Sequence, residues 1–166
     1  IKFKDNIVWD KIQEYQKLSE KIMRLYVDKV DWNAISKYQT LSECFIIQMK
    51  LHIDWFNISE YQKLSEDFIR KYKHRIVWDE ISRCQKLSEK FIREFEYEVE
   101  WKNISKNQKL SESFIREFQD NIDWKYVSKY QKLSEKFIRE FEYEVDWKDI
   151  SRHQTLSEPF ITEFQR

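Results

Sequence analysis

The sequence contains no glycine, and Pro159 is the only proline among its 166 residues. Average usage would supply about 7% glycine and about 5% proline. The tight turns of β-hairpins need positive φ angles, which glycine adopts more easily than any other residue. The absence of glycine therefore argues against a β-rich fold and favours one built from helices.

Cysteine is also scarce, and long apolar runs are missing. Cys44 and Cys84 are the only cysteines, so the sequence predicts no disulfide framework and favours a reducing compartment. No apolar run approaches the roughly 20 residues that cross a membrane, and no secretory signal peptide is recognisable. We expect a protein that is neither secreted nor bound to a membrane.

The chain has no excess of either charge, since 30 basic and 30 acidic residues give a net charge of zero. A dedicated nucleic-acid-binding domain usually has a strong positive excess, so no nucleic-acid partner is expected. Aromatic residues make up 17% of the chain, whereas disordered segments have few of them. The composition therefore predicts a folded chain.

Tryptophan is the clearest feature that is present, because it recurs every 23 residues. The seven tryptophans are Trp9, Trp32, Trp55, Trp78, Trp101, Trp124 and Trp147. A period between 20 and 50 residues is typical of solenoids and other repeat arrays. The sequence predicts a single helical repeat domain over residues 1–166, with seven repeats that begin near these tryptophans.

The first half of each repeat has the periodicity of an amphipathic helix. With tryptophan as position 0, position 3 is Ile or Val, position 4 is Ser in six repeats and Gln13 in the first, and position 7 is always Gln. Offsets of 0, 3, 4 and 7 share one face of an α-helix. The residue before tryptophan is acidic in five repeats, as in Asp123, and aspartate suits a helix N-cap. We name this segment, about two turns long, helix A.

A second helix, helix B, follows the Leu-Ser-Glu that occupies positions 9 to 11 in all seven repeats. The serine is the predicted N-cap, and the helix dipole favours the glutamate. Apolar residues at positions 13, 14 and 17 then share a face, which predicts two to three turns. Because helices this short are marginal alone, the repeats must stack. The predicted fold is all-α, an α-solenoid of seven 23-residue αα-hairpin repeats.

The recurring polar residues have two interpretations. In the structural one, the glutamine at position 7 satisfies turn backbone groups in a ladder between repeats, and the serine at position 4 bonds back to a helix carbonyl. In the functional one, a row of amides contacts an extended ligand. A catalytic serine would need one adjacent base, which seven copies argue against. The three histidines occupy unrelated repeat positions, so we expect no metal, cofactor or small-molecule substrate.

Candidate binding residues lie where the repeats vary. Position 6 flanks the apolar face and should be half exposed, and positions 1 and 5 become basic in the later repeats. The predicted partner-binding residues are Tyr38, Tyr61, Tyr130, Lys102, Lys106, Lys125, Lys129, Lys148 and Arg152. The end of helix B is acidic instead, at Glu94, Glu96, Glu98, Glu140, Glu142 and Glu144. These charges either form solvated faces with weak pairs between repeats or a bipolar surface for a partner or another copy.

The repeat unit W-x-x-I-S-x-x-Q-x-L-S-E-x-F-I, which reads WKYVSKYQKLSEKFI from Trp124 to Ile138, resembles a short tandem repeat of proteins from giant DNA viruses of amoebae. The resemblance covers essentially the whole chain, and the first repeat departs from it at Gln13, Ile22 and Met23. It implies a viral repeat protein in the host cytoplasm or the virion, and it implies no catalytic residue.

Two functions fit this sequence. The first is a non-enzymatic repeat scaffold that mediates protein–protein interaction, because a rigid stack presents variable residues at fixed intervals. The alternative is a structural viral component that self-assembles through the ends or edges of the solenoid. The chain begins and ends at the same phase of the repeat, so another copy would continue the core. This alternative predicts that a charge introduced at Ile7 or Phe164 blocks association.

Overall fold

The computed structural model describes residues 8–165, and within this range the regular secondary structure consists of fourteen short helices. Helices A are α1 (Trp9–Tyr15), α3 (Trp32–Tyr38), α5 (Trp55–Tyr61), α7 (Trp78–Cys84), α9 (Trp101–Asn107), α11 (Trp124–Tyr130) and α13 (Trp147–His153). Helices B are α2 (Glu20–Leu25), α4 (Glu43–Gln48), α6 (Glu66–Lys71), α8 (Glu89–Glu94), α10 (Glu112–Glu117), α12 (Glu135–Glu140) and α14 (Glu158–Glu163). The predicted all-α class and 23-residue helical repeat are confirmed.

Twelve of the fourteen described helices begin after a residue whose side chain caps them, whereas α1 and α7 follow Val8 and Val77, which make no such bond. In helices B the serine at position 10 accepts a backbone N–H, as when Phe137 N donates to Ser134 Oγ at 3.2 Å. In helices A the acidic residue before tryptophan does the same, and Tyr126 N donates to Asp123 Oδ1 at 3.2 Å. Both predicted sets of caps are confirmed, because each satisfies a helix N–H that has no intrahelical partner.

Helices B are shorter than predicted, at six residues each. The aromatic residue at position 17 ends the helix and opens a further turn, in which Phe141 O accepts from Glu144 N at 3.0 Å and from Val145 N at 3.1 Å. Helices A end in extended backbone, with φ −90° and ψ 153° at Gln131. No residue of the described range has a positive φ angle, so none of these connections requires glycine.

The chain divides into two compact units, Ile1–Gln85 and Lys86–Arg166, which we name the N-terminal half and the C-terminal half. In the N-terminal half α1 packs on α3, α3 on α5 and α5 on α7, and in the C-terminal half α9 packs on α11 and α11 on α13. Each half is therefore a solenoid-like stack in which each repeat contacts its neighbours along the chain.

The core follows the predicted apolar positions. At position 3, Ile35, Ile58, Ile81, Ile104, Val127 and Ile150 have no exposed surface. The phenylalanines at position 13 are buried with them, as in Phe137 and Phe160. In the C-terminal half, Ile138, Val145, Ile150 and Phe160 form one buried cluster.

The tryptophans lie at the edge of this core, half-buried in most repeats. The ring of Trp101 lies 5.0 Å from the ring of Phe118 in the same repeat, and its Nε1 donates to Glu96 O at 3.0 Å. Glu96 belongs to the turn of the preceding repeat. Trp101 therefore links the turn of the preceding repeat to Phe118 at the end of helix B of its own repeat. Because the indole N–H needs a polar partner, the ring lies at the edge of the core and is only partly buried.

Candidate functional site

The glutamine at position 7 makes three hydrogen bonds to the preceding repeat. Gln131 Nε2 donates to Ser105 O at 2.9 Å and to Gln108 O at 2.8 Å, and its Oε1 accepts from Leu110 N at 3.0 Å. Gln62 makes the equivalent bonds in the N-terminal half. The structural interpretation is confirmed. In these repeats both ends of the buried amide are engaged inside the protein, whereas Gln16 of the first repeat is exposed.

The serine at position 4 also joins neighbouring repeats. Ser36 Oγ donates to Trp32 O at 2.6 Å, which is the predicted bond to a helix carbonyl. It also accepts from Asp54 N in the next repeat at 3.0 Å, a link that the sequence reasoning missed. Gln13 stands in for serine in the first repeat, and its Oε1 accepts from Asp31 N at 2.9 Å. Although the first repeat lacks serine at position 4, Gln13 therefore makes the same type of bond to the backbone N–H of the next repeat.

The glutamate at position 11 has a second role beyond the helix dipole. Glu135 Oε1 accepts the backbone N–H of Ser157 in the next repeat at 2.6 Å, and Glu112 accepts from Ser134 in the same way. The hydrogen bond from Ser157 is the main reason why the pKa of Glu135 lies below its usual range. The signal in the sequence was the presence of this glutamate in all seven repeats, next to a position 12 that varies freely.

A row of ion pairs lies on helices B of the C-terminal half. The pairs are Arg93 with Glu117, Arg116 with Glu140, and Arg139 with Glu163, each with a closest approach of 2.7 or 2.8 Å. The guanidinium of Arg116 also lies 4.9 Å from the ring centre of Phe137. The pairing lowers the pKa of Glu140, with the hydrogen bond from Arg116 as the largest cause. The predicted acidic edge of helix B is therefore partly neutralised, at Glu140 among others.

In each half, the predicted binding residues lie on a surface that we name the A face of that half, formed by positions 1, 2, 5 and 6 of its helices A. The three predicted tyrosines are half exposed as expected, with 47% of Tyr38, 46% of Tyr61 and 46% of Tyr130 accessible to solvent. The Nζ atom of Lys37 lies 5.1 Å from the ring centre of Tyr38 and 5.5 Å from that of Tyr61. A hydrogen bond with Tyr38 is the main cause that raises the pKa of Lys37.

The A face of the C-terminal half brings several predicted residues together around Tyr126, which the sequence reasoning did not name. The Nζ atoms of Lys102 and Lys106 lie 5.7 and 5.9 Å from its ring centre. Its ring stacks on Tyr130 at 5.9 Å, and Lys129 lies 5.1 Å from the Tyr130 ring. The signal available in the sequence was that position 2 varies between repeats even more than position 6 does.

The other predicted cations of this half are exposed on the same surface: Lys125, Lys148 and Arg152. Position 2 of the last repeat is Asp149, which is buried to 7% exposure and lies 3.7 Å from His153 Nε2. The A face of this half is therefore basic, with this one carboxylate at the edge of the group.

The A face of the N-terminal half has a different charge pattern. Arg83 NH2 lies 2.7 Å from Glu60 Oε1 and also bonds Glu80, and hydrogen bonds from these carboxylates raise the pKa of Arg83. Asn57 Nδ2 donates to Asn33 Oδ1 at 2.5 Å. Polar groups on this surface thus satisfy one another within the protein.

Within residues 8–165, no group of three or more His, Cys, Asp or Glu side chains is placed to hold a metal ion. Cys44 and Cys84 are exposed free thiols. No helix in the described range is both long and apolar enough to span a bilayer. Comparisons with models of protein families, with curated proteins and with solved structures find no match to this chain.

Proposed function

We propose that this protein is a non-enzymatic repeat scaffold that binds a protein partner through its A face. The observation that carries the proposal is the exposure of tyrosine at one repeat position, in Tyr38, Tyr61 and Tyr130. Tyrosine is enriched among the residues that dominate binding energy at protein interfaces. Within each half, packed helices A hold such residues in place, so little conformational entropy is lost when a partner binds.

The use of the recurring polar groups supports a non-enzymatic role. The hydroxyl of Ser36 donates a hydrogen bond to one backbone group and accepts one from another. Ser134 caps a helix. The recurring glutamines are saturated by the backbone of their neighbours. These groups hold repeats together, and a nucleophile would instead need an adjacent base to activate it.

On the resemblance of its repeat unit, we propose that the protein is viral and acts in the cytoplasm of an amoebal host or in the virion. A protein partner is favoured over a nucleic acid because the 30 basic and 30 acidic residues balance.

A capture experiment with amoebal lysate tests the scaffold. The variant that replaces Tyr38, Tyr61 and Tyr130 with Ala should lose specific partners that the wild-type protein retains. The matched control replaces Tyr97 and Tyr143, which are each 92% exposed but lie in the turns after helices B. It should retain the same partners. Equal capture by all three proteins would contradict a binding function of the A face.

Self-assembly as a structural viral component is a second candidate, because the bonds that join neighbouring repeats within the chain are able to join repeats of two copies. Ser151 is exposed and its Oγ donates to Trp147 O at 2.7 Å. The equivalent Ser128 is buried because it also accepts Asp146 N of the following repeat at 2.9 Å. A further repeat from a second copy could make the same bond to Ser151. Phe164 of the same repeat is half-buried, whereas Ile7 lies outside the described residues.

A further inference from the structure

We infer that the A face of the C-terminal half binds an acidic segment of the protein partner, an inference that rests on the proposed scaffold function. Six cations occupy positions 1 and 5 of its three helices A: Lys102, Lys106, Lys125, Lys129, Lys148 and Arg152. The buried Asp149 is the one carboxylate at positions 1, 2, 5 and 6 of these helices. Residues 86–166 as a whole contain 15 basic and 17 acidic residues. The positive charge is thus specific to this surface.

These six cations have no anionic partner within the described part of the chain. The arginines of helices B show the contrast, because Arg93, Arg116 and Arg139 each bond a glutamate of the next repeat. On the A face of the N-terminal half, Arg83 is likewise held by Glu60 and Glu80. Lys102, Lys106 and Lys129 instead lie over tyrosine rings. Complementary charge on a partner would pair them, and it would also speed association.

The tyrosines favour an acidic protein segment over single-stranded nucleic acid. Proteins that bind single strands stack bases on open aromatic rings. Here Tyr126 is flanked by two lysines and stacked on Tyr130, and Lys129 lies over Tyr130. The rings are therefore already engaged, and the ammonium groups above them are placed to meet carboxylates.

Fluorescence anisotropy with a labelled poly-L-glutamate of about 20 residues tests this inference, because a chain of that length carries many carboxylates that exposed lysines can pair with. The comparison probes are an uncharged Gly-Ser peptide and an oligothymidylate of equal length. The test variant combines K102Q, K106Q, K125Q and K129Q. The control variant combines K90Q, K109Q, K132Q and K136Q, which removes the same charge from exposed lysines of the same half outside the A face.

We expect the test variant to bind poly-L-glutamate about tenfold more weakly than the wild type, since each exposed ion pair contributes only modestly. The control variant should change affinity less than about twofold, and added salt should weaken wild-type binding because it screens exposed charges. Thermal melts of both variants check that they are folded. Equal losses in the two variants, or no saturable binding of poly-L-glutamate by the wild type, would overturn the inference.

Tighter binding of the oligothymidylate, lost in the same test variant, would overturn it in favour of a nucleic-acid partner. The capture experiment with the tyrosine variant remains independent of these results. If the wild type captures partners that the tyrosine variant loses, while poly-L-glutamate fails to bind, the scaffold function stays in place and only the acidic partner is removed. Equal capture by the wild type and both tyrosine variants, together with no binding of poly-L-glutamate, would remove the scaffold function as well.

Discussion

Helices A of the two halves have the same interior and different surfaces. Ile58 in the N-terminal half and Val127 in the C-terminal half are both fully buried. On the A face, Arg83 is paired with glutamates of its own half, whereas Lys106, at the same repeat position, lies over the ring of Tyr126. Positions 3 and 4 of helix A face the interior and positions 1, 5 and 6 face solvent, so one side can stay constant while the other varies. The constant side explains stability, and the variable side is where we place function.

The largest expected effect concerns the interior. Gln131→Ala removes three hydrogen bonds and leaves Ser105 O, Gln108 O and Leu110 N without their partner. Buried polar groups left unsatisfied each cost about 1–3 kcal/mol, so we expect a loss of about 3–5 kcal/mol in the free energy of unfolding. Urea unfolding measures it. Gln16→Ala, at an exposed glutamine of the first repeat, should change stability by less than about 0.5 kcal/mol. Equal effects at the two sites would contradict the ladder.

The second effect concerns the edge of the core. Trp101→Ala should destabilise the protein by about 2–4 kcal/mol, which is less than a fully buried aromatic side chain would lose, because the indole is half-buried. Phe56→Ala on the A face, where the ring is 48% exposed, should cost less than about 1 kcal/mol. Thermal unfolding of both variants gives the comparison. An unchanged melting temperature for Trp101→Ala would refute the packing described here.

A smaller effect compares one position on the two A faces. Arg83→Gln leaves the buried Glu80 and the half-buried Glu60 without their cation, and we expect a loss of about 1 kcal/mol. Lys106→Gln should change stability by less than about 0.5 kcal/mol, because Lys106 has no ion pair to lose. Denaturant unfolding of the two variants in the same buffer measures both changes in the free energy of unfolding. A larger loss for Lys106→Gln would mean that the basic A face is needed for folding.

The smallest effect is the acid sensitivity of the ion pairs on helices B. Hydrogen bonds from Arg93, Arg116 and Arg139 lower the pKa values of their partners Glu117, Glu140 and Glu163. Each pair therefore stabilises the folded state at neutral pH. This contribution begins to fall as pH drops into the ordinary carboxyl range near about 4 and is lost below the folded pKa.

A variant with Gln in place of all three arginines has no such pairs to lose. When the pH is lowered from neutral to below about 4, its melting temperature should therefore fall by less than that of the wild type. Arg24→Gln is the control, because Arg24 bonds the amide of Gln48 in the equivalent place. Parallel melting curves for the wild type and the triple variant at every pH would contradict a role for these pairs.

The sequence predicted the parts of the fold that depend on periodicity. Burial of position 3 and capping by Ser134 follow from the residue pattern of a single repeat, and both are observed. The length of helix B was overestimated because the aromatic at position 17 is apolar, as a helical residue on that face would be. In the structure it ends the helix at Phe141 and accepts the bonds of a further turn.

Links between repeats were harder to predict than the repeats themselves. The second bond of Ser36 and the bond from Ser157 to Glu135 join residues about one repeat apart, and their partners are backbone N–H groups, which leave no mark on the sequence. For the candidate site, exposure of the three tyrosines was predicted correctly, but the central place of Tyr126 depends on how α9 and α11 pack. That packing brings Lys102 and Lys106 over its ring.

We place function on the A face rather than on contacts between the last repeats of two copies, and light scattering coupled to size exclusion tests this most directly. Across a wide range of concentrations we predict a single mass near 20.9 kDa, unchanged in a Phe164→Glu variant that remains folded. A mass that rises with concentration for the wild type, and does not rise for Phe164→Glu, would contradict the scaffold and establish self-assembly through the last repeat.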